Sequence, residues 1–153
     1  MALIELDTYR MLAEMRSIFQ ADSTLNGAVF TIQSEPDLSP EMDPWIGLFS
    51  ETVDTPEGQP ISAGQRANLL VGCIVAVYAF HLESLADAMR QRDRMVGRVL
   101  TSIMRNRSLN GVSGVRTTII RSVELDSARI SGGTGFLSGG EIRVDLDVQI
   151  RTA

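Results

Sequence analysis

A chain of 153 residues with 44% apolar and 22% charged side chains is large enough to bury one core without disulfides or metal ions. Its formal net charge of -5 disfavours non-specific binding of duplex nucleic acid, which needs a basic surface to neutralise phosphates. All 14 basic residues are arginine, so a phosphate-binding loop of the kind that requires a lysine is excluded.

Leu6, Tyr9, Leu12, Ala13, Met15 and Phe19 recur at mostly helical spacing, and Glu5 and Asp7 suit the positive end of a helix dipole. The spacing predicts a first helix over 4–20. In the stretch that follows, Asn26-Gly27 signals a turn and Ala28 to Gln33 can form a short strand. Pro36, Pro40 and Pro44 then argue against a regular element.

Trp45 to Asp54 reads as a strand. The connection after it, with Pro56, Gly58, Pro60 and Gly64, offers no core residues and is a candidate contact arm. The run LLVGCIVAVYAF over 69–80 is rich in β-branched residues and lacks alternation, which suits a strand covered on both faces, although a buried helix has the same apolar pattern. It is too short to span a bilayer, and no basic region followed by an apolar stretch opens the chain. A soluble, unsecreted protein is expected. Cys73, the single cysteine, lies inside this run without a disulfide partner and should pack as a small hydrophobe.

The period changes after His81. Leu85, Met89, Val96, Val99, Leu100 and Ile103 fall on one side at helical spacing, predicting a long amphipathic helix. Ser84 is its N-cap, Asp87 completes an imperfect capping box, and 106–111 supplies the stop. Arg90, Arg92, Arg94 and Arg98 form a basic cluster on the same segment. It reads as a solvated helix face or a contact with acidic groups of another subunit.

Val115 to Ile130 reads as a further strand. Gly132, Gly133, Gly135, Gly139 and Gly140 then suggest a flexible loop around Phe136 and Leu137. In the closing segment Ile142, Val144, Leu146, Val148 and Ile150 alternate with Arg143, Asp145, Asp147, Gln149 and Arg151, as in a strand with one exposed face. The order helix, hairpin, helix, hairpin predicts one α+β domain over 1–153. An antiparallel or mixed sheet of about four strands carries two main helices on one face.

No catalytic, cofactor-binding or metal-ligating set stands out. The glycine-rich GGTGFLSGG opens no helix that could receive a pyrophosphate. Ser113 lacks the second glycine of a nucleophile elbow, and one histidine with one cysteine makes a zinc site of the usual ligand types very unfavourable. A triad would have to use His81, which reads better as structural. Asp145 and Asp147 share a strand face and could form an acid-base pair, but alternating charges flanked by Arg143 suit a solvated or subunit-facing surface. The candidate subunit interface is therefore Arg90, Arg94, Arg98, Arg143, Asp145 and Asp147.

Taken together, the N-terminal helix, DPWIGLFSETVD, LLVGCIVAVYAF, LADAMRQRDRMVGRVLTSIMR, the NRSLNGV turn and EIRVDLDVQIRT resemble the tail terminator family of long-tailed bacteriophages, also called tail completion or minor tail U-like proteins. The resemblance implies a non-enzymatic α+β subunit of the virion, at the head-proximal end of the tail, assembled in the host cytoplasm. Such a subunit forms a homo-oligomeric, hexameric ring on the last ring of tail tube protein, stops tube growth and offers a surface to the head-tail connector protein. DNA passes through the lumen without specific binding, and no membrane or cofactor takes part. A different ring protein of the head-tail neck, or a small α+β enzyme or ligand-binding protein using Asp145, Asp147 and His81, are the alternatives.

Overall fold

The computed structural model describes residues 4–35, 43–55, 66–129 and 135–151. The connection with Pro56, Gly58, Pro60 and Gly64 lies outside them, as do Pro36, Pro40, Gly132 and Gly133. Seven main elements follow one another: α1 (Thr8–Ala21), β1 (Val29–Ile32), β2 (Trp45–Asp54), β3 (Arg66–His81), α2 (Leu85–Arg105), β4 (Val115–Arg129) and β5 (Phe136–Arg151). The expected α+β class holds, with five strands where about four were expected.

The sheet runs in the order β1-β2-β3-β5-β4. Its β2–β3, β3–β5 and β4–β5 pairs are antiparallel, whereas β1 lies parallel to β2, so the sheet is mixed. The long apolar run occupies the middle position, and its β-branched density follows from that place. Val71, Val75 and Val77 are fully buried against the helices, and Ile74 and Ala76 are buried on the other face. Each buried valine contributes about 1.5–3 kcal/mol relative to leaving it exposed.

Both helices lie on one face. Met11, Leu12, Met15 and Phe19 of α1 join Met95, Val96, Val99 and Ile103 of α2 in one core with Ile46, Leu48, Ile142, Val144, Leu146 and Val148. The helix starts are set by short polar side chains. Asp7 Oδ1 accepts from Arg10 N at 3.0 Å, which places the start of α1 after Asp7 rather than at Ile4; Ile4 instead bridges Arg151. Ser84 Oγ accepts from Asp87 N at 3.1 Å, the expected cap of α2.

The buried line of α2 is rotated from the expected stripe. Leu85 and Met89 are exposed, while Ala88 and Arg92 are buried. Arg92, grouped by sequence with the solvated arginines, is only 3% exposed. Its Nη1 donates to Asp126 O and to Ser138 Oγ, both at 3.0 Å, and its Nε donates to Asp93 Oδ1 at 2.9 Å. A helix residue long enough to reach β4 and β5 can thus replace an apolar one, provided its donors are used.

The last strand begins at Phe136, six residues before Ile142 where its alternation starts, because Gly139 and Gly140 belong to the ladder rather than to a loop. Their missing side chains make room: a Cβ on Gly139 would lie 2.4 Å from the Tyr78 ring. Such glycines look like loop signals in sequence but serve as beds for aromatic rings. Between α2 and β4 the 3-10 segment Leu109–Gly114 turns the chain with Gly114 at φ 83°, where a Cβ would collide with Gln149 O.

Candidate assembly surface

Among the described residues no helix covers the other face of the sheet, and strand alternation dictates what stands on it. Trp45, Gly47 and Phe49 of β2 pair with Tyr78, Ala76 and Ile74 of β3; in β5 the same face carries Gly139, Glu141, Arg143, Asp145 and Asp147. The face divides into a charged end and an aromatic end.

At the charged end every predicted β5 residue is engaged within the chain. Arg116 Nη2 donates to Asp147 Oδ2 at 3.0 Å, and Arg121 Nε donates to Asp145 Oδ2 at 2.6 Å. Arg143 lies between Glu51, at 3.2 Å, and Glu141, at 3.8 Å. These cross-strand pairs join β2, β5 and β4. Asp145 and Asp147 therefore accept from arginines of the neighbouring strand β4.

The aromatic end is built on small residues. Trp45 lies over Gly47, where a Cβ would come 2.2 Å from its ring, and stacks on Tyr78 with centroids 5.1 Å apart and planes at 21°. Phe49 meets it edge-on at 6.2 Å. Trp45 Nε1 donates to Thr31 Oγ1 at 2.8 Å, which ties the ring to β1. Beside these rings is a hollow of about 170 Å³ lined by Glu35, Trp45, Phe49, Ala76, Tyr78, Leu137 and Glu141. Burial, and then the negative charges of Glu141, Asp126 and Glu35, hold the Tyr78 hydroxyl above its usual pKa. The i, i+2 spacings Trp45-Gly47-Phe49 and Ala76-Tyr78-Phe80 are the sequence signal that could have located this cluster.

The helical arginines lie across the sheet from this surface. Arg90 pairs with Asp87 at 3.2 Å, one helical turn away. Arg98 Nη1 donates to Thr24 O at 2.7 Å, tying α2 to the turn after α1. Arg94 is exposed and forms no ion pair among the described residues. The six predicted interface residues thus fall into two groups on opposite faces. His81 is a turn residue: its Nδ1 accepts from Glu83 N at 3.2 Å and Ser84 N at 3.0 Å, with Asp87 Oδ2 3.7 Å from Nε2.

Two further polar groups bear on stability. Asp22 accepts from Thr24 N at 2.9 Å and Thr24 Oγ1 at 2.6 Å through Oδ1, and from Ser102 Oγ at 2.8 Å through Oδ2. These hydrogen bonds hold its carboxyl below the ordinary value, the Thr24 hydroxyl contributing most. The Cys73 thiol is pushed up to about 12 by burial, helped by the charges of Asp145 and Glu51. No helix among the described residues is long and apolar enough to cross a membrane.

No protein-family model matches the chain, and no curated protein does. Among solved structures it is similar to the PVC sheath/tube terminator of an extracellular contractile injection system in its extended state, seen by cryo-electron microscopy. The two share 13% identity with a TM-score of 0.46, over 92% of this chain and 55% of that chain. The chain therefore spans about half the length of that protein.

Proposed function

We propose that this chain is a structural subunit that caps a tail tube as a ring, ending tube growth and presenting a joining surface to a head-side connector. The observation that carries the reading is the one-sided sheet. Two helices close one face, and the other face, patterned with paired charges and aromatic rings, stands between two unlike edges, β1 and β4. A ring of identical subunits needs two different surfaces that meet head to tail and close by rotation. The unlike edges β1 and β4 support such a contact.

The resemblance in sequence to tail terminators supports the finer parts of the reading: six copies, a tube protein below, a connector above, and DNA passing through the lumen. Such a particle would assemble in the host cytoplasm and leave the subunit at the head-proximal end of the tail. Net negative charge agrees with a lumen that lets phosphates pass. The pairing of Asp145 and Asp147 with arginines supports a structural role over an acid-base one.

Negative-stain images of the purified protein, alone and mixed with its tube protein, test the proposal. Rings and tubes of arrested length are expected. A protein that stays monomeric at high concentration and leaves tube length unchanged refutes it.

A further inference from the structure

From the two outer edges of the sheet we infer that β1 of one copy adds to β4 of the next as an antiparallel strand, carrying the sheet from subunit to subunit. The inference rests on the reading of the chain as a ring subunit and names the contact through which it assembles.

Direction comes from the topology. β1 lies parallel to β2, and every later pair across the sheet is antiparallel, so β1 and β4 run in opposite directions. A second copy set edge to edge, with the same face up, therefore meets β4 with an antiparallel β1, the more stable kind of pairing. Height comes from the register. Val29, Trp45, Tyr78, Gly139 and Asp126 stand in one row across the sheet, and Ile32, Leu48, Val75, Ile142 and Val123 stand in another. The four residues of β1 are thus level with Val123 to Asp126 of β4. The register shifts at Ser50/Thr52, Val115/Thr117 and Ile120/Ser122 all fall outside this block. Bulges and prolines blunt a sheet edge, and this stretch of β4 has neither. Among the described residues no strand pairs with the outer edge of either β1 or β4.

The side chains match face by face. On the helix side the half-buried Phe30 and Ile32 meet Leu125 and Val123 of the other copy, which are apolar yet 55% and 38% exposed. On the opposite side Val29, itself exposed, and Thr31 meet Asp126 and Glu124, so no like charges oppose each other. A two-fold pairing of β4 with itself, centred on Glu124, Leu125 or Asp126, sets carboxylate against carboxylate. Main-chain hydrogen bonds supply the affinity of strand addition, and the apolar pairs fix which face is which. Because the contact joins unlike edges, it repeats from copy to copy instead of stopping at a dimer.

Cysteine pairs read the contact directly. Phe30→Cys and Leu125→Cys chains, mixed and oxidised, should form a disulfide dimer that neither chain forms alone. Thr31→Cys with Glu124→Cys tests the adjacent row, because close and wide spacings alternate along an antiparallel pair. The native Cys73 is buried and supplies no background. Sedimentation velocity across a concentration series gives the strength. Leu125→Lys should weaken self-association about tenfold, by losing apolar contact and charging the edge, with the urea midpoint close to that of wild type. Met104→Lys, equally exposed at the far end of α2, serves as the control and should leave association unchanged. A disulfide formed by Leu125→Cys alone would mean that β4 pairs with itself, and would overturn the assignment. Rings that form as well with Leu125→Lys, or that crosslink in neither row, would also overturn it and leave the ring reading intact. A wild-type chain that stays monomeric would remove both the pairing and the reading beneath it.

Discussion

Arg92→Met tests whether a buried arginine holds the start of α2 to the far end of the sheet. The substitution keeps an unbranched stem of similar reach and removes every donor. Asp93 is 57% exposed, so losing that ion pair costs at most about 1 kcal/mol. The larger loss is inside. Ser138 is fully buried, and its hydroxyl and the Asp126 carbonyl each lose a charged donor at 3.0 Å. A buried polar group left short of a partner costs about 1–3 kcal/mol. Ser138 Oγ keeps its own 3.5 Å bond to Asp126 O, which favours the low end of that range for both. The expected destabilisation is about 3 kcal/mol, or roughly 6–12 °C in Tm at about 2–4 °C per kcal/mol for a chain of this size. Urea unfolding of the wild type, Arg92→Met and Arg92→Lys would measure it, with lysine falling between because one ammonium cannot serve all the acceptors. A cycle with Ser138→Ala should return a coupling of about 1 kcal/mol. If Arg92→Met lies within about 0.5 kcal/mol of wild type, the anchoring argument is wrong and the side chain is there only to pack.

Other substitutions probe the same physics elsewhere. Gly47→Ala places a methyl group in the Trp45 ring and should cost about 1–3 kcal/mol by overpacking, with a red-shifted emission from the displaced, sole tryptophan. Asp22→Ala removes the cap that joins Thr24 to Ser102 and should cost about 1–2 kcal/mol in urea unfolding. Because the Asp22 carboxyl is depressed in the folded state, its contribution is present above the unfolded value of 3.8 and is lost as pH falls through the folded one; the gap between wild type and Asp22→Asn should close on acidification. Cys73 runs the other way. Its thiol is raised from 9.0 to about 12, so the stabilisation is full below pH 9 and is lost as pH climbs from 9 to 12. Native protein should resist thiol reagents at pH 8, and Cys73→Val should flatten the alkaline decline in stability. Rapid labelling of the native thiol at pH 8 would contradict its burial.

The elements that sequence located well are those whose burial pattern is set by their own period. The closing strand alternates because one face of β5 packs on helices and the other does not, and β3 stops alternating at its centre, where Trp45, Phe49 and Tyr78 pack with Ile74 and Ala76 on the face away from the helices. The reading missed where neighbours override the local pattern. Gly139 and Gly140 carry a loop composition, yet the ring of Tyr78 fills the space above Gly139 and keeps that position in the ladder. Arg92 has a surface residue's chemistry, and only the acceptors on β4 and β5 allow it inside. β1 is four residues long and becomes a strand through its parallel pairing with β2, a contact that no periodicity in so short a segment can announce. Of the candidate site, sequence placed Arg143, Asp145 and Asp147 on one exposed face. Their partners Arg116, Arg121 and Glu51 come from other strands and depend on register, which two bulges in β4 shift.

In the proposed ring, that register also changes what the charged residues can do. Three guanidinium groups already face four carboxylates across β2, β4 and β5, each pair partly exposed. A partner that approaches this end must compete with intramolecular pairs worth little individually, so it gains little by replacing them; it loses much if it presents a like charge. The charged end therefore selects orientation and register. Net affinity must come from surface that water leaves gladly, and on this face that surface is the aromatic end, where Phe49, Tyr78 and Leu137 remain partly exposed beside buried Trp45. Interfaces commonly concentrate their energy in such aromatic anchors while charges steer the encounter. High salt should therefore slow the association of subunits more than it weakens the assembled contact, since screening reaches the exposed ladder and spares a ring stacked against its partner.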